Sequence, residues 1–123
     1  MKRARILICD DEPGVRDSLR LILGREHDLT FVKDGQEAVD HLRVQAMDLI
    51  IMDIKMPRMG GLDALPKIKK LRPKIKVLIA TGYESSDVAS QAINLGADEY
   101  IVKPFERQTV LTTVQALLSS SAV

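Results

Sequence analysis

The chain has no tryptophan and only two phenylalanines and two tyrosines in 123 residues, so it offers no set of aromatic platforms for stacking single-stranded bases. It also lacks an excess of either charge. Its 18 Lys and Arg against 17 Asp and Glu leave a net charge of +1, which gives no electrostatic basis for nucleic acid or a membrane surface as a direct partner. A single cysteine, Cys9, excludes an internal disulfide. Inside an apolar run it reads as a small buried hydrophobe, consistent with a cytoplasmic home. No apolar stretch approaches bilayer-spanning length, and the short run behind Lys2, Arg3 and Arg5 stops at two acids rather than forming a secretion signal. His27 and His41 match no metal-ligand spacing and read as surface or partly packed side chains. Met47, Met52, Met56 and Met59 read as packing, and the basic run 67–76 as a solvated helix face with its loop.

What the chain does have is alternation. Apolar runs of strand length stand at 6–9, 29–32, 49–52, 77–80 and 100–102, separated by segments of helical periodicity. Pro13 fits the first turn of a helix presenting Val15, Leu19, Ile22 and Leu23 on one face. Asp34 and Glu37 have capping-box spacing before a helix that buries Ala38, Val39, Leu42 and Ala46. A third helix carries Leu65, Ile68 and Leu71, with Pro66 in its first turn or kinking it. Ser85 or Ser86 caps a fourth, which turns Val88, Ala92 and Ile93 inward and ends at a left-handed Gly96. The fifth starts near Arg107 and buries Val110, Leu111, Val114, Leu117 and Leu118. Strict alternation with short connections predicts an α/β domain: a single doubly wound parallel sheet of five strands, flavodoxin-like in its order 2-1-3-4-5, flanked by five helices. The domain takes in the chain 1–123, with its core over about 4–119 and a small polar tail or linker start at 119–123.

The chemistry falls at strand ends. The run Leu49-Ile50-Ile51-Met52 reads as a strand buried on both faces. It ends in Asp53 and breaks into the turn Lys55-Met56-Pro57-Arg58-Met59-Gly60-Gly61. In open α/β sheets the carboxyl ends of the strands line the ligand crevice. Asp10-Asp11-Glu12 follows the first strand, Thr81-Gly82 the fourth and Lys103-Pro104 the fifth, so the predicted topology brings residues distant in sequence to one pocket. Asp10, Asp11 and Asp53 together demand a cation, since like charges at about 4 Å repel by about 4 kcal/mol at an effective dielectric of about 20. Hard oxygen ligands with no His or Cys cluster suit magnesium, which keeps several waters and bridges to phosphate. Lys103 supplies a positive charge for a phosphoryl oxygen, and Thr81 a hydroxyl donor.

In their order and approximate spacing, Asp10-Asp11-Glu12, Asp53 with Met56-Pro57-Arg58-Met59 and Gly61, Thr81, Tyr100 and Lys103-Pro104-Phe105 resemble the receiver domain of a bacterial two-component response regulator, over residues 4 to 119. The resemblance implies a phosphorylation-dependent signalling switch. Asp53 would accept a phosphoryl group from the phosphohistidine of a sensor histidine kinase or phosphotransfer protein. Asp11, Asp53 and the Lys55 carbonyl would hold Mg2+ directly, with Asp10 acting through a bound water, and Lys103 would pair with the phosphoryl group. Thr81 and Tyr100 would form the switch, repacking the surface of the fourth helix, fifth strand and fifth helix for an output partner, an effector domain or a second copy. Kinase docking is expected near Gly14, Val15 and Ser18 with the Pro104 loop. Beyond catalysing its own phosphorylation and dephosphorylation, such a domain is not an enzyme.

Gly60 stands where the family often has Asp or Asn, and Gly82 where a small residue is usual. Lys55 and Tyr83 are expected at the pocket mouth, where Tyr83 would shield the acyl phosphate from water. A magnesium-dependent phosphatase with an aspartyl nucleophile needs a second acid where Lys55 stands. A flavin-binding flavodoxin needs a Gly- and hydroxyl-rich first loop where this one is acidic. A degenerate receiver acting only by docking has no need of the full acceptor set.

Overall fold

Residues 3–82 and 86–120 are described in the computed structural model of the chain. The elements alternate as β1 (Arg5–Cys9), α1 (Pro13–Leu23), β2 (Asp28–Val32), α2 (Gly35–Val44), β3 (Leu49–Met52), α3 (Gly61–Leu71), β4 (Lys76–Thr81), α4 (Ser86–Asn94), β5 (Glu99–Val102) and α5 (Arg107–Ser120). All strand pairs are parallel and the sheet order is β2-β1-β3-β4-β5, as the alternation predicts. Side-chain period two splits the apolar strand residues between two cores. Leu7, Cys9, Ile50, Met52, Val77 and Ile79 meet α2, α3 and α4 on one face. Ile6, Ile8, Leu49, Ile51, Leu78, Ala80 and Ile101 meet α1 and α5 on the other. The central strand β3 is buried at every position, whereas the edge strands β2 and β5 are only partly covered.

Helix ends follow local chemistry. Asp34 caps α2, its Oδ1 accepting the Glu37 N–H at 2.9 Å, while the Glu37 carboxylate reaches back to the Lys33 N–H at 2.9 Å. Gly96, at φ +116, closes α4. The Gly96 N–H donates to the Ile93 carbonyl and the Ala97 N–H to the Ala92 carbonyl, the paired bonds of a Schellman cap.

Several expectations need correction. Of the two places open to Pro66, the first turn is ruled out: it is the sixth residue of α3, inside the helix, where it removes one donor from the ladder. Ala46 is exposed beyond the end of α2, and Met47 takes the buried place. Ile93 is 46% exposed; Ala92 carries the inward contact of α4, and Leu95 packs beside it. His27 is buried, its Nδ1 accepting the Ala4 N–H at 3.2 Å, while His41 is partly packed as expected. In the basic run, the Lys69 ammonium donates to the Ile75 carbonyl at 2.6 Å and Arg72 Nε to the Leu42 carbonyl at 2.8 Å, so both tie loops together rather than only facing solvent. Ser119 and Ser120 belong to α5 rather than to a tail. The helix α4 begins at Ser86, so its expected cap falls on Ser85, which with Tyr83 and residues 121–123 lies outside the described residues.

Candidate functional site

Parallel pairing sets the carboxyl ends of β1, β3, β4 and β5 side by side. Cys9 pairs with Met52, Met52 with Ile79, and Thr81 with Val102, so Asp10, Asp53 and Lys103 each follow the last paired residue of their strand. Backbone bonds extend the ladder by that residue. Asp53 N–H donates to the Cys9 carbonyl at 3.1 Å, Asp10 N–H to Val32 at 3.1 Å and Lys103 N–H to Thr81 at 2.8 Å. The two carboxylates are thus fixed by the sheet itself, and both are buried, as is Thr81. The Lys103-Pro104 peptide is cis.

The ammonium of Lys103 is the hub. Its Nζ donates to Asp10 Oδ2 at 2.7 Å, Asp53 Oδ2 at 2.8 Å and Glu12 Oε1 at 2.9 Å, which uses all of its protons. The other oxygens take backbone donors: Asp10 Oδ1 accepts the Glu12 N–H at 2.9 Å, and Asp53 Oδ1 the Lys55 N–H at 3.3 Å. Burial of the ammonium pulls the Lys103 pKa down, but the hydrogen bonds to Asp10, Asp53 and Glu12 outweigh it and hold the group above the ordinary lysine range. Burial pushes the Asp10 carboxyl above the usual carboxylate range, against the opposing bonds from Lys103 and the Glu12 amide. The Tyr100 phenol, on β5, is raised by burial and by the negative field of Asp53. Burial likewise pushes the Cys9 thiol up, and its Sγ lies 3.2 Å from the Asp34 carbonyl, which keeps it a neutral core side chain.

The donor set fits a hard divalent cation. One carboxylate oxygen each from Asp10, Glu12 and Asp53 lies within 4.8 Å of the others. Opposite ligands around magnesium stand about 4.2 Å apart, from oxygen distances of 2.0–2.1 Å, so the three oxygens have about the span of such a set, which the Lys103 ammonium bridges here. The structure therefore brings together Asp10, Asp53, Lys103 and, through its backbone amide, Lys55, with Thr81 at the neighbouring strand end. Asp11 is exposed and stands outside this group of carboxylates.

The roles of two residues were missed. Glu12 was read only as part of an acidic run. The signal lay in its length, since a glutamate two residues beyond a buried aspartate can reach back over the pocket. Gly61 belongs to the motif that carries the resemblance, but its steric role shows only in the fold: a Cβ there would lie 2.3 Å from the Asp53 carbonyl oxygen. The chain after β3 folds so tightly that the Gly61 N–H donates to the Ile54 carbonyl at 2.8 Å, and only glycine leaves room.

Comparisons with known proteins agree with this geometry. A family model described as the response regulator receiver domain matches residues 6–115. "Response regulator MprA" of Mycolicibacterium vanbaalenii is 32% identical over 115 residues, which cover 93% of this chain and 50% of that protein. "Protein CcdB" of Bacillus subtilis is 36% identical over 116 residues, covering 93% of this chain and 97% of that one. Among solved structures, a CheY-like response regulator receiver domain protein from Methanospirillum hungatei superposes with a TM-score of 0.92 at 33% identity, covering 98% of this chain and 97% of that one. The chain spans about half the length, or less, of the first curated relatives it matches.

Proposed function

The chain belongs to the response regulator receiver domain family, and from that premise we propose that it is a phosphorylation-dependent switch in which Asp53 is the phosphoacceptor. The observation that carries the reading is a buried carboxylate at the end of the central strand, hydrogen-bonded at 2.8 Å to a lysine that also neutralises Asp10. An Asp53 oxygen attacks phosphorus in a phosphohistidine of a sensor kinase or phosphotransfer protein. An O–P bond forms, the P–N bond breaks, and its electron pair leaves with the imidazole, which takes up a proton. Such transfers need positioning and charge neutralisation more than covalent help. Lys103 neutralises the acceptor before transfer and shifts one hydrogen bond to a phosphoryl oxygen afterwards.

Mg2+ is the proposed cofactor, and it supplies compensation for the negative charge on the transferred group. Asp10, Glu12 and Asp53 are the carboxylates positioned to hold it. The family resemblance assigns direct contact to Asp11, Asp53 and the Lys55 carbonyl, with Asp10 acting through a bound water; Glu12 is the addition that the carboxylate grouping suggests.

The new dianion draws the Thr81 hydroxyl, and Tyr100 repacks inward on the α4–β5–α5 face. Charge-assisted hydrogen bonds contribute about 1.5–3 kcal/mol each, and driving a two-state equilibrium from 1:99 to 99:1 takes about 5.5 kcal/mol. Contacts from Thr81 and Lys103 together reach that figure only if both favour the active state. The kinase or phosphotransfer protein docks at Gly14, Val15 and Ser18 of α1 with the Pro104 loop; of these Gly14, Ser18 and Pro104 are exposed. An output partner, an effector domain or a second copy reads the α4–β5–α5 face, where Ile93 is exposed. The receiver core is assigned to residues 4–119 and the site of action to the cytoplasm. Among the described residues no helix is long and apolar enough to cross a membrane.

The test is phosphorylation of the isolated chain by acetyl phosphate, read by intact mass. One phosphoryl group is expected with Mg2+, with little in chelator and none in Asp53→Asn. Steady release of phosphate from many equivalents of an unrelated monoester would favour the phosphatase instead.

A further inference from the structure

The loop between β3 and α3 is held from the far side by an ion pair that the proposed chemistry does not use. Asp34 caps α2 through Oδ1, and its Oδ2 accepts from both Arg58 Nε at 2.9 Å and Arg58 Nη2 at 2.8 Å. The Asp34 side chain is only 5% exposed. Burial alone would raise its carboxyl, but the Glu37 amide and the Arg58 guanidinium outweigh it and hold the group below the ordinary carboxylate range. Arg58 is the one non-glycine residue with a positive φ, 62°, among the described residues, a conformation that L side chains adopt at a cost. The backbone is seated as well: the Gly35 N–H donates to the Met59 carbonyl at 2.8 Å, and a Cβ on Gly35 would lie 2.6 Å from that oxygen. Arg58 and Met59 are thus tied to the N-terminus of α2, in the same loop as Lys55, whose amide donates to the acceptor carboxylate.

We propose that Arg58 and Asp34 form a positioning clamp that sets the β3–α3 loop, and with it the Lys55 backbone, for the divalent cation beside Asp53. The inference builds on the Mg2+ site proposed above. Arg58 touches neither the acceptor nor the carboxylate group at the pocket, and it acts through the loop. Outer contacts that orient the ligands of a metal typically change its affinity by tenfold or more.

The sign of the effect separates a clamp from simple electrostatics. Removing a positive side chain near an acidic pocket would strengthen cation binding by Coulomb's law alone, whereas releasing the loop weakens it. Arg58→Gly is the informative variant, because glycine accepts φ 62° freely, so the guanidinium and its aliphatic stem are removed without adding backbone strain. Mg2+ affinity is measured by calorimetric titration, alongside the acetyl-phosphate labelling rate at saturating Mg2+. The clamp predicts a roughly tenfold weaker Kd with a saturated labelling rate close to wild type. An unchanged or tighter Kd overturns it, including when Tm falls, which marks a merely structural pair. Arg58→Gln provides the same comparison if the glycine variant does not fold. If the wild-type chain itself binds no Mg2+, both this inference and the metal site fall. If the wild type binds it and the variants match, only the clamp fails.

Discussion

Replacing Lys103 by glutamine removes the cation that two buried carboxylates share, and the consequence can be worked from the geometry. Asp10 and Asp53 have side chains only 4% and 6% exposed, and both lie within 2.8 Å of the ammonium. At 4.8 Å, the outer limit of the oxygen separations, two unit negative charges repel by about 3.5 kcal/mol at an effective dielectric of about 20. Stripping one partner from a buried ion pair typically costs about 3–5 kcal/mol. Glu12 is 59% exposed and adds little, because solvent screens it. Lys103→Gln in chelator is therefore expected to lose about 3–5 kcal/mol, or about 10–20 °C in Tm for a domain of this size. Two further signs follow. Added Mg2+ should raise Tm more in the variant than in the wild type, because the crowded carboxylates then have only the metal to neutralise them. The loss should also shrink on acidification, because the Asp10 carboxyl is already raised and would rise further without its lysine. A carboxyl raised in the folded state opposes folding at neutral pH and is relieved as pH falls through its folded pKa. Differential scanning calorimetry at several pH values, with chelator or Mg2+, reads all three. A variant in chelator within about 2 °C of wild type, well under the shift expected for 1 kcal/mol, would refute the reasoning.

Gly61→Ala forces a Cβ to within 2.3 Å of the Asp53 carbonyl oxygen; urea unfolding should show a loss of at least about 1–3 kcal/mol, with acetyl-phosphate labelling reduced as Asp53 is displaced. Buried His27 accepts the Ala4 N–H through Nδ1, and burial, with a smaller push from Arg3, lowers its pKa against the opposing Glu26. Its neutral form contributes stability above the unfolded value of about 6.5 that is lost as pH falls below it. The difference in unfolding free energy between wild type and His27→Asn should accordingly narrow from pH 8 to about pH 5, and a constant difference counts against the assignment. Thr81→Ala should still accept the phosphoryl group but show smaller phosphorylation-dependent shifts at Tyr100 by NMR; full-sized shifts would remove Thr81 from the switch.

The sheet was legible because burial on both faces leaves continuous apolar runs. Every predicted strand lies within one residue of its observed ends, and parallel pairing then placed Asp10, Asp53, Thr81 and Lys103 at one edge. Helix interiors were less legible. Ala46 and Ile93 fit an apolar stripe by period, but one falls past the end of its helix and the other faces solvent. The missing donor of Pro66 fits either a first turn or a helix interior and does not choose between them; α3 begins five residues before it. The reach of flexible side chains was least legible: nothing in an acidic triplet says that Glu12 reaches the Lys103 ammonium while Asp11 stands outside the carboxylate group. The clamp of Arg58 on Asp34 depends on a positive φ and a loop path that no periodicity encodes.

The central claim is that Asp53 carries the phosphoryl group as a mixed anhydride. The most direct measurement is peptide mapping of the chain after acetyl phosphate and Mg2+, with borohydride reduction to trap the acyl phosphate as an alcohol at its own position. The account predicts the reduced residue at Asp53 alone, absent after prior hydroxylamine treatment. A phosphoryl group that resists hydroxylamine, or reduction mapped to any other carboxylate, would contradict it.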